Sequence, residues 1–343
     1  NQNHLLNKNG LFFLFYPLNN IILIILYIIN VLTHMDKKNI LSIKNLKKIY
    51  PGKQAEDTVA LNNLNLDVQE GEIFGLLGPN GAGKTTFINI VAGTVIKTAG
   101  QVSVHGFDLD KNPRQVRASV GIVPQEINLD PFFSPRKLLE LQAGLYGIKE
   151  KDRITDTILE LVSLEKQANS YARSLSGGMK RRLLMAKALV HQPPIVFLDE
   201  PTAGVDVQLR QNLWKNVKLL NDLGVTIILT THYLEEAEEM CDRIAILNKG
   251  NIVALDSTKN LLDKIQTKKV TFTTNKKIDV KDEDLPSLKL ISKLGTEICV
   301  SYEKSKINIG DLINLIKKNE AKILDISTDD GDLEDVFLRL IKN

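Results

Sequence analysis

Acidic residues are missing from the first 34 positions, where the only strongly basic residue is Lys8. Cysteine is scarce throughout: Cys241 and Cys299 are the two in 343 residues, and neither sits in a CxxC or Cys/His cluster. That suggests neither a disulfide framework nor a structural zinc site, and fits a reducing compartment. A basic surplus is also lacking, since 44 Lys and Arg face 41 Asp and Glu, so charge nominates no nucleic-acid partner and none is expected. After Met35 no apolar run is long enough to span a bilayer, and no internal repeat or low-complexity stretch appears. What is present is ordinary for a globular chain, with 43% hydrophobic and 25% charged residues, enough for two compact domains or one large α/β domain with appendages.

The composition breaks at Met35. From Leu11 to Leu32 there are 22 residues, 18 of them apolar and none charged, long enough to cross a membrane. Lys37, Lys38 and Lys44 on its far side would keep the bulk of the chain in the cytoplasm. The competing reading is that residues 1–34, rich in Asn, Ile, Leu, Phe and Tyr, are translated from AT-rich sequence upstream of a start at Met35. On that reading they are excluded from fold reasoning.

From Ile40 to Leu66 the short alternating runs Leu41-Ser42-Ile43, Val59-Ala60-Leu61 and Leu64–Val68 predict a small antiparallel sheet with a turn at Pro51-Gly52. Solid apolar strands follow at Ile73–Leu77, Val120–Val123, Ile195–Leu198 and Val225–Thr230, separated by helical stretches, as in a parallel sheet buried on both faces. The segment 126–175 contains no such strand. Ser134-Pro135 starts a helix, and Ile154, Ile158, Leu161 and Val162 recur at helical spacing, so it reads as a helical subdomain. Beyond a hairpin at Leu247–Ile252, residues 266–343 alternate strand-like Val270–Thr273, Ile298–Ser301 and Ile323–Ile326 with helix-like Ile309–Lys318 and Leu333–Ile341. They are expected to form a small α+β domain.

Gly78-Pro79-Asn80-Gly81-Ala82-Gly83-Lys84-Thr85 fits G-x-x-x-x-G-K-[ST], follows the strand Ile73–Leu77 and precedes a helical run starting near Thr86. Glycines let successive backbone N–H groups turn inward, the helix N-terminus adds positive dipole, and Lys84 brings a point charge to the β- and γ-phosphates. Thr85 can place its hydroxyl on Mg²⁺. The strand Ile195–Leu198 runs into Asp199-Glu200, and ligands gather at the carboxyl ends of parallel strands. Asp199 is thus placed to hold Mg²⁺, and Glu200 to take a proton from a water attacking the γ-phosphate. Strand Val225–Thr230 ends in Thr231-His232, where His232 could donate to the γ-phosphate.

With Leu175-Ser176-Gly177-Gly178-Met179-Lys180-Arg181-Arg182 between these motifs, the chain resembles an ATP-binding cassette ATPase over about residues 38–255. The resemblance implies an α/β P-loop NTPase domain over 38–265, built of a parallel core sheet, an antiparallel β subdomain and a helical subdomain, followed by a small α+β C-terminal domain. It implies a nucleotide site of Tyr50, stacked on adenine, with Gly78, Pro79, Asn80, Gly81, Ala82, Gly83, Lys84, Thr85 and Thr86. Mg²⁺ ligation falls to Thr85, Gln125 and Asp199. The catalytic set is Glu200 as general base, His232 as γ-phosphate sensor, Gln125 and Lys84, and Asp206 lies in a loop crossing to a partner. The signature departs from the usual pattern, with Met179 where Gln is common, and leaves the anion-binding Ser176-Gly177-Gly178 intact. In the family that serine reaches the nucleotide of a second subunit, so a homodimer is implied.

The signature and the tail Asp329-Asp330-Gly331-Asp332-Leu333-Glu334-Asp335-Val336-Phe337 are similar to the bacterial ABC-2-type export branch, whose ATPases sit at the cytoplasmic face of the membrane on separate permease subunits. An import cassette would share every catalytic residue and stays open. So does a non-transport ATPase, although neither a second cassette nor long coiled coils are present.

Overall fold

The computed structural model describes residues 38–52, 56–203, 205, 207–263, 267–282, 284–285, 287–329 and 331–342. The expectations for residues 1–34 and for Asp206 lie outside them. Strands β1 (Asn39–Tyr50) and β2 (Thr58–Gln69) pair antiparallel, with Ile43 opposite Leu66 and Leu46 opposite Leu64, which turns their alternating apolar residues to one side. Strand β3 (Ile73–Leu77) is buried at every position and feeds a loop that opens helix α1 (Lys84–Val91). Strands β4 (Ala99–Val104) and β5 (Phe107–Asp108) complete the first sheet in the order β2-β1-β4-β5, a membership the sequence reading did not contain.

Helix α2 (Pro113–Ala118) leads to β6 (Val120–Val123). The stretch after it carries α3 (Pro135–Leu145) and α4 (Thr155–Leu161), with one short 3-10 turn between them and two after. Ser134 caps α3 by accepting from the Lys137 N–H, and Pro135 takes the first turn, where a missing N–H is harmless. Helix α5 (Gly177–Leu189) then packs against β6, followed by β7 (Ile195–Asp199), α6 (Val207–Asp222), β8 (Thr226–Thr231), α7 (Leu234–Met240), β9 (Arg243–Asn248) and β10 (Asn251–Ser257). The second sheet runs β10-β9-β3-β8-β7-β6, parallel except for β10.

Register in this sheet decides where chemistry can sit. Val123 lies beside Leu198, Asp199 beside Thr230, and Leu77 beside Thr231, so four strands end at one level. The segments leaving them therefore meet at one edge.

After α8 (Thr258–Asp263), strands β11 (Thr267–Thr274), β12 (Leu288–Leu294), β13 (Glu297–Glu303) and β14 (Ile323–Asp329) form a third, antiparallel sheet in the order β12-β13-β11-β14. Helix α9 (Ile309–Lys318) opens with a reciprocal capping box between Asn308 and Asp311 and buries Leu312 and Ile316 in a core with Val270, Phe272, Ile298 and Val300. Helix α10 (Leu333–Lys342) follows β14, and its Leu333 N–H donates to Glu238 of α7 at 3.0 Å.

Candidate functional site

The loop between β3 and α1 is shaped by collisions that only glycine avoids. A Cβ at Gly78 would lie 2.3 Å from the Leu247 carbonyl oxygen, and one at Gly83, whose φ is 111°, 2.5 Å from that of Ala60. Gly83 is the N-cap residue of α1, which starts at Lys84, two residues earlier than the sequence pattern suggested. No acidic side chain occupies its first turn and no side chain caps it, which leaves first-turn N–H groups of α1 available to an anion. Lys84 is buried, and its Nζ donates to the carbonyls of Gly78 at 2.7 Å and Pro79 at 3.3 Å. Burial lowers its pKa, against the pull of Glu200 and Asp199. Asn80, Gly81 and Thr85 are exposed, while Ala82 is buried and Thr86 half-buried.

The end of β7 supplies the carboxylates. Asp199 is buried and accepts from the Thr230 hydroxyl at 2.5 Å and from Thr85, and burial raises its pKa. Glu200 adopts a φ of 45°, a left-handed conformation unusual for a non-glycine residue. Its N–H donates to both the carbonyl and the hydroxyl oxygen of Thr230, at 3.0 and 3.2 Å, and its carbonyl accepts from the Ala203 N–H. One threonine thus holds the carboxylate of Asp199 and the backbone that turns Glu200 out of the strand.

Glu200 Oε2 gathers the other two predicted groups. Gln125 Nε2 donates to it at 2.9 Å, and His232 Nδ1 stands 3.3 Å away with its ring partly exposed. Next to them, Glu236 is buried and accepts from Thr202 at 2.8 Å and Thr231 at 3.2 Å, with Arg210 at 3.2 Å. Arg181 donates to the carbonyls of Gln125 at 2.6 Å and Ala203 at 3.0 Å. Thr230, Glu236 and Arg181 were not singled out from sequence, because a threonine in an apolar strand and an arginine in a helix carry no signal until the register is known.

Two predicted groups stand apart. Tyr50 ends β1, is exposed, and has Lys48 Nζ 4.5 Å from its ring centroid. Ser176 and Gly177 are exposed at the start of α5, where Ser176 Oγ accepts from the Met179 N–H at 3.3 Å. Among the described residues no hydrogen bond or ion pair joins Ser176, Gly177 or Gly178 to the loop Gly78–Lys84.

A family model described as ABC transporter matches residues 61–203. The Nod factor export ATP-binding protein I of Cupriavidus pinatubonensis is 36% identical over 301 residues, covering 87% of this chain and 90% of that protein. The chain belongs to the ABC transporter ATP-binding family. The linearmycin resistance ATP-binding protein LnrL of Bacillus subtilis is 32% identical over 308 residues, covering 88% and 97% of the two chains. Among solved structures, the ATP-binding cassette MJ0796, a dimer in a post-hydrolysis state with ADP and Pi, superposes with a TM-score of 0.57 at 28% identity, covering 64% of this chain and 98% of that one. An ATP-binding subunit of an ABC transporter superposes at 0.58 with 28% identity, covering 66% and 92%. This family member therefore has the P-loop NTPase fold and is an ATPase. No helix among the described residues is long and apolar enough to cross a membrane.

Proposed function

We propose that the chain is the ATP-hydrolysing subunit of an exporter, acting as a homodimer at the cytoplasmic face of the membrane on a separate permease. The observation that carries the catalytic part is the convergence of Gln125 and His232 on one carboxylate oxygen of Glu200, beside the buried Asp199 and Lys84. Export is what the name of the Cupriavidus relative states of that protein, and resistance to linearmycin is what the name of the Bacillus relative states.

In this reading Lys84 and the first-turn N–H groups of α1 bind the phosphates of ATP, and Tyr50 stacks on its adenine. The donor set of the Thr85 hydroxyl, the Asp199 carboxylate and the Gln125 amide oxygen fits Mg²⁺, which prefers hard oxygen ligands. When bound, Mg²⁺ supplies positive charge that offsets charge building on the phosphate oxygens. Glu200 Oε2 takes the proton of the attacking water, and Gln125 and His232 fix that oxygen's position. The left-handed turn at Glu200 aims the carboxylate away from the strand, and Thr230 keeps it there.

Ser176 with Gly177 and Gly178 serves the nucleotide of a second copy. These residues are exposed or half-buried at a helix N-terminus, and the MJ0796 cassette is itself dimeric. Permease contact falls on 126–133, where Ile127, Phe132 and Phe133 are exposed. A crosslinker at Phe132 is expected to capture the permease, and failure from both phenylalanines contradicts that placement.

Glu200→Gln tests the catalytic assignment. Shape and ATP affinity should persist, turnover should fall by about 10²–10⁴-fold, and an ATP-loaded dimer should accumulate in size-exclusion chromatography. Hydrolysis at the wild-type rate contradicts the role of Glu200.

A further inference from the structure

Between the signature helix α5 and helix α6 lies a cavity of about 280 Å³, bordered by Gly178, Arg181 and Arg182 on one side and by Asn212, Lys215 and Asn216 on the other. Among the described residues its lining contains three cationic side chains and no Asp or Glu. Arg181 is 7% exposed, and among the described residues its guanidinium is met only by the backbone carbonyls of Gln125 and Ala203. Arg182 is likewise met by the carbonyls of Val162 at 2.8 Å and Ser163 at 3.0 Å. The Nε atoms of both arginines are buried and find no acceptor among the described residues.

Neutral carbonyls satisfy N–H groups but do not balance charge, and a buried cation without a counter-ion is costly. Burial lowers the pKa of Arg181, with no carboxylate of the described residues acting against it. The unmet need is therefore for negative charge with several acceptor oxygens, small enough for the cavity. A tetrahedral oxyanion meets it: it can accept from two guanidinium groups at once, with the Asn212 and Asn216 amides and the Lys215 ammonium completing the shell.

We propose that this cavity binds inorganic phosphate, one of the two products of the chain's own reaction. The site is separate from the loop Gly78–Lys84, which contributes no residue to its lining. Arg181 ties it to hydrolysis, because the same guanidinium holds the carbonyl of Gln125, whose side chain holds Glu200. Phosphate in the cavity pulls on Arg181 and thereby on the backbone that positions the catalytic carboxylate, so accumulated product lowers turnover without competing with ATP.

The test uses the full chain carrying Lys84→Ala, which removes phosphate binding at the loop, and titrates sodium phosphate by calorimetry at constant ionic strength. The expected result is saturable binding with one phosphate per chain. Adding Asn212→Asp and Lys215→Glu, both at exposed positions of α6, should weaken it about tenfold or more by placing like charge at the rim. Unfolding midpoints of both chains without phosphate show that each is folded. ADP titrated into the Lys84→Ala chain separates the free ion from a nucleotide's phosphate tail, and competition by ADP overturns the assignment. So does an absence of binding in the Lys84→Ala chain, or binding that the two α6 substitutions leave unchanged. In the chain with Lys84 intact, added phosphate should lower kcat with little effect on KM for ATP, and the α6 pair should reduce that inhibition. Inhibition that is purely competitive with ATP contradicts the proposal.

Discussion

Two glycine-rich turns open helices in this ATPase, and their surroundings differ. At the start of α1, Gly78 and Gly83 are pressed against backbone oxygens of Leu247 and Ala60, and Gly83 is left-handed. At the start of α5, a Cβ on Gly177 would meet nothing within 4 Å, and the residue is helical. The chain itself explains its first pair of glycines. The described residues supply no steric or conformational reason for Gly177, which leaves room there for a group from outside the chain. This contrast is the physical support for a site completed by a second copy.

Substitutions at the two turns separate these origins. Gly83→Ala places a methyl group into the Ala60 carbonyl and the Leu61 side chain at a φ that L-residues avoid. Its expected cost is about 3 kcal/mol of folding stability, read from the urea midpoint. An unchanged midpoint would mean that the loop is not tightly packed.

The α1 site also holds a charge at the expense of stability. Burial raises the pKa of the Asp199 carboxyl, so its charged form is less stable in the folded chain than in the unfolded one. The penalty is full above the folded pKa and disappears below the unfolded value of about 3.9. Asp199→Asn should raise the midpoint at neutral pH, with an excess over wild type that shrinks on acidification, while Mg²⁺-dependent hydrolysis is lost. A variant less stable than wild type at pH 7 contradicts the assigned burial cost.

Gly177→Ala should have the smallest effect on stability, within about 0.5 kcal/mol of wild type and on the stable side, because alanine suits a helix better than glycine. If the proposed dimer holds, its ATPase rate should nevertheless fall about tenfold or more, since the methyl group would stand where the second copy's nucleotide approaches. Full activity would remove the reason to look outside the chain.

Much of this was legible in the sequence because burial on both faces leaves a strong trace. The runs Ile73–Leu77, Val120–Val123 and Ile195–Leu198 are apolar throughout, and the groups at their ends follow once the sheet is parallel. Strand β12 was missed because Lys289, Ser292 and Lys293 break its apolar pattern at a sheet edge where most side chains are exposed. The place of β4 was missed because it depends on pairing with β1 more than fifty positions earlier. Thr230 and Arg181 act through contacts 31 and 56 positions away, and no local pattern encodes such distances.

In the proposed homodimer one chain's catalytic carboxylate works with another chain's signature turn. A structure of the Glu200→Gln protein bound to ATP and Mg²⁺ tests it most directly. The expected result is two copies in which Ser176 Oγ of each hydrogen-bonds the γ-phosphate held by Lys84 of the other. Ser176 bonded to the γ-phosphate of its own chain's nucleotide would contradict it.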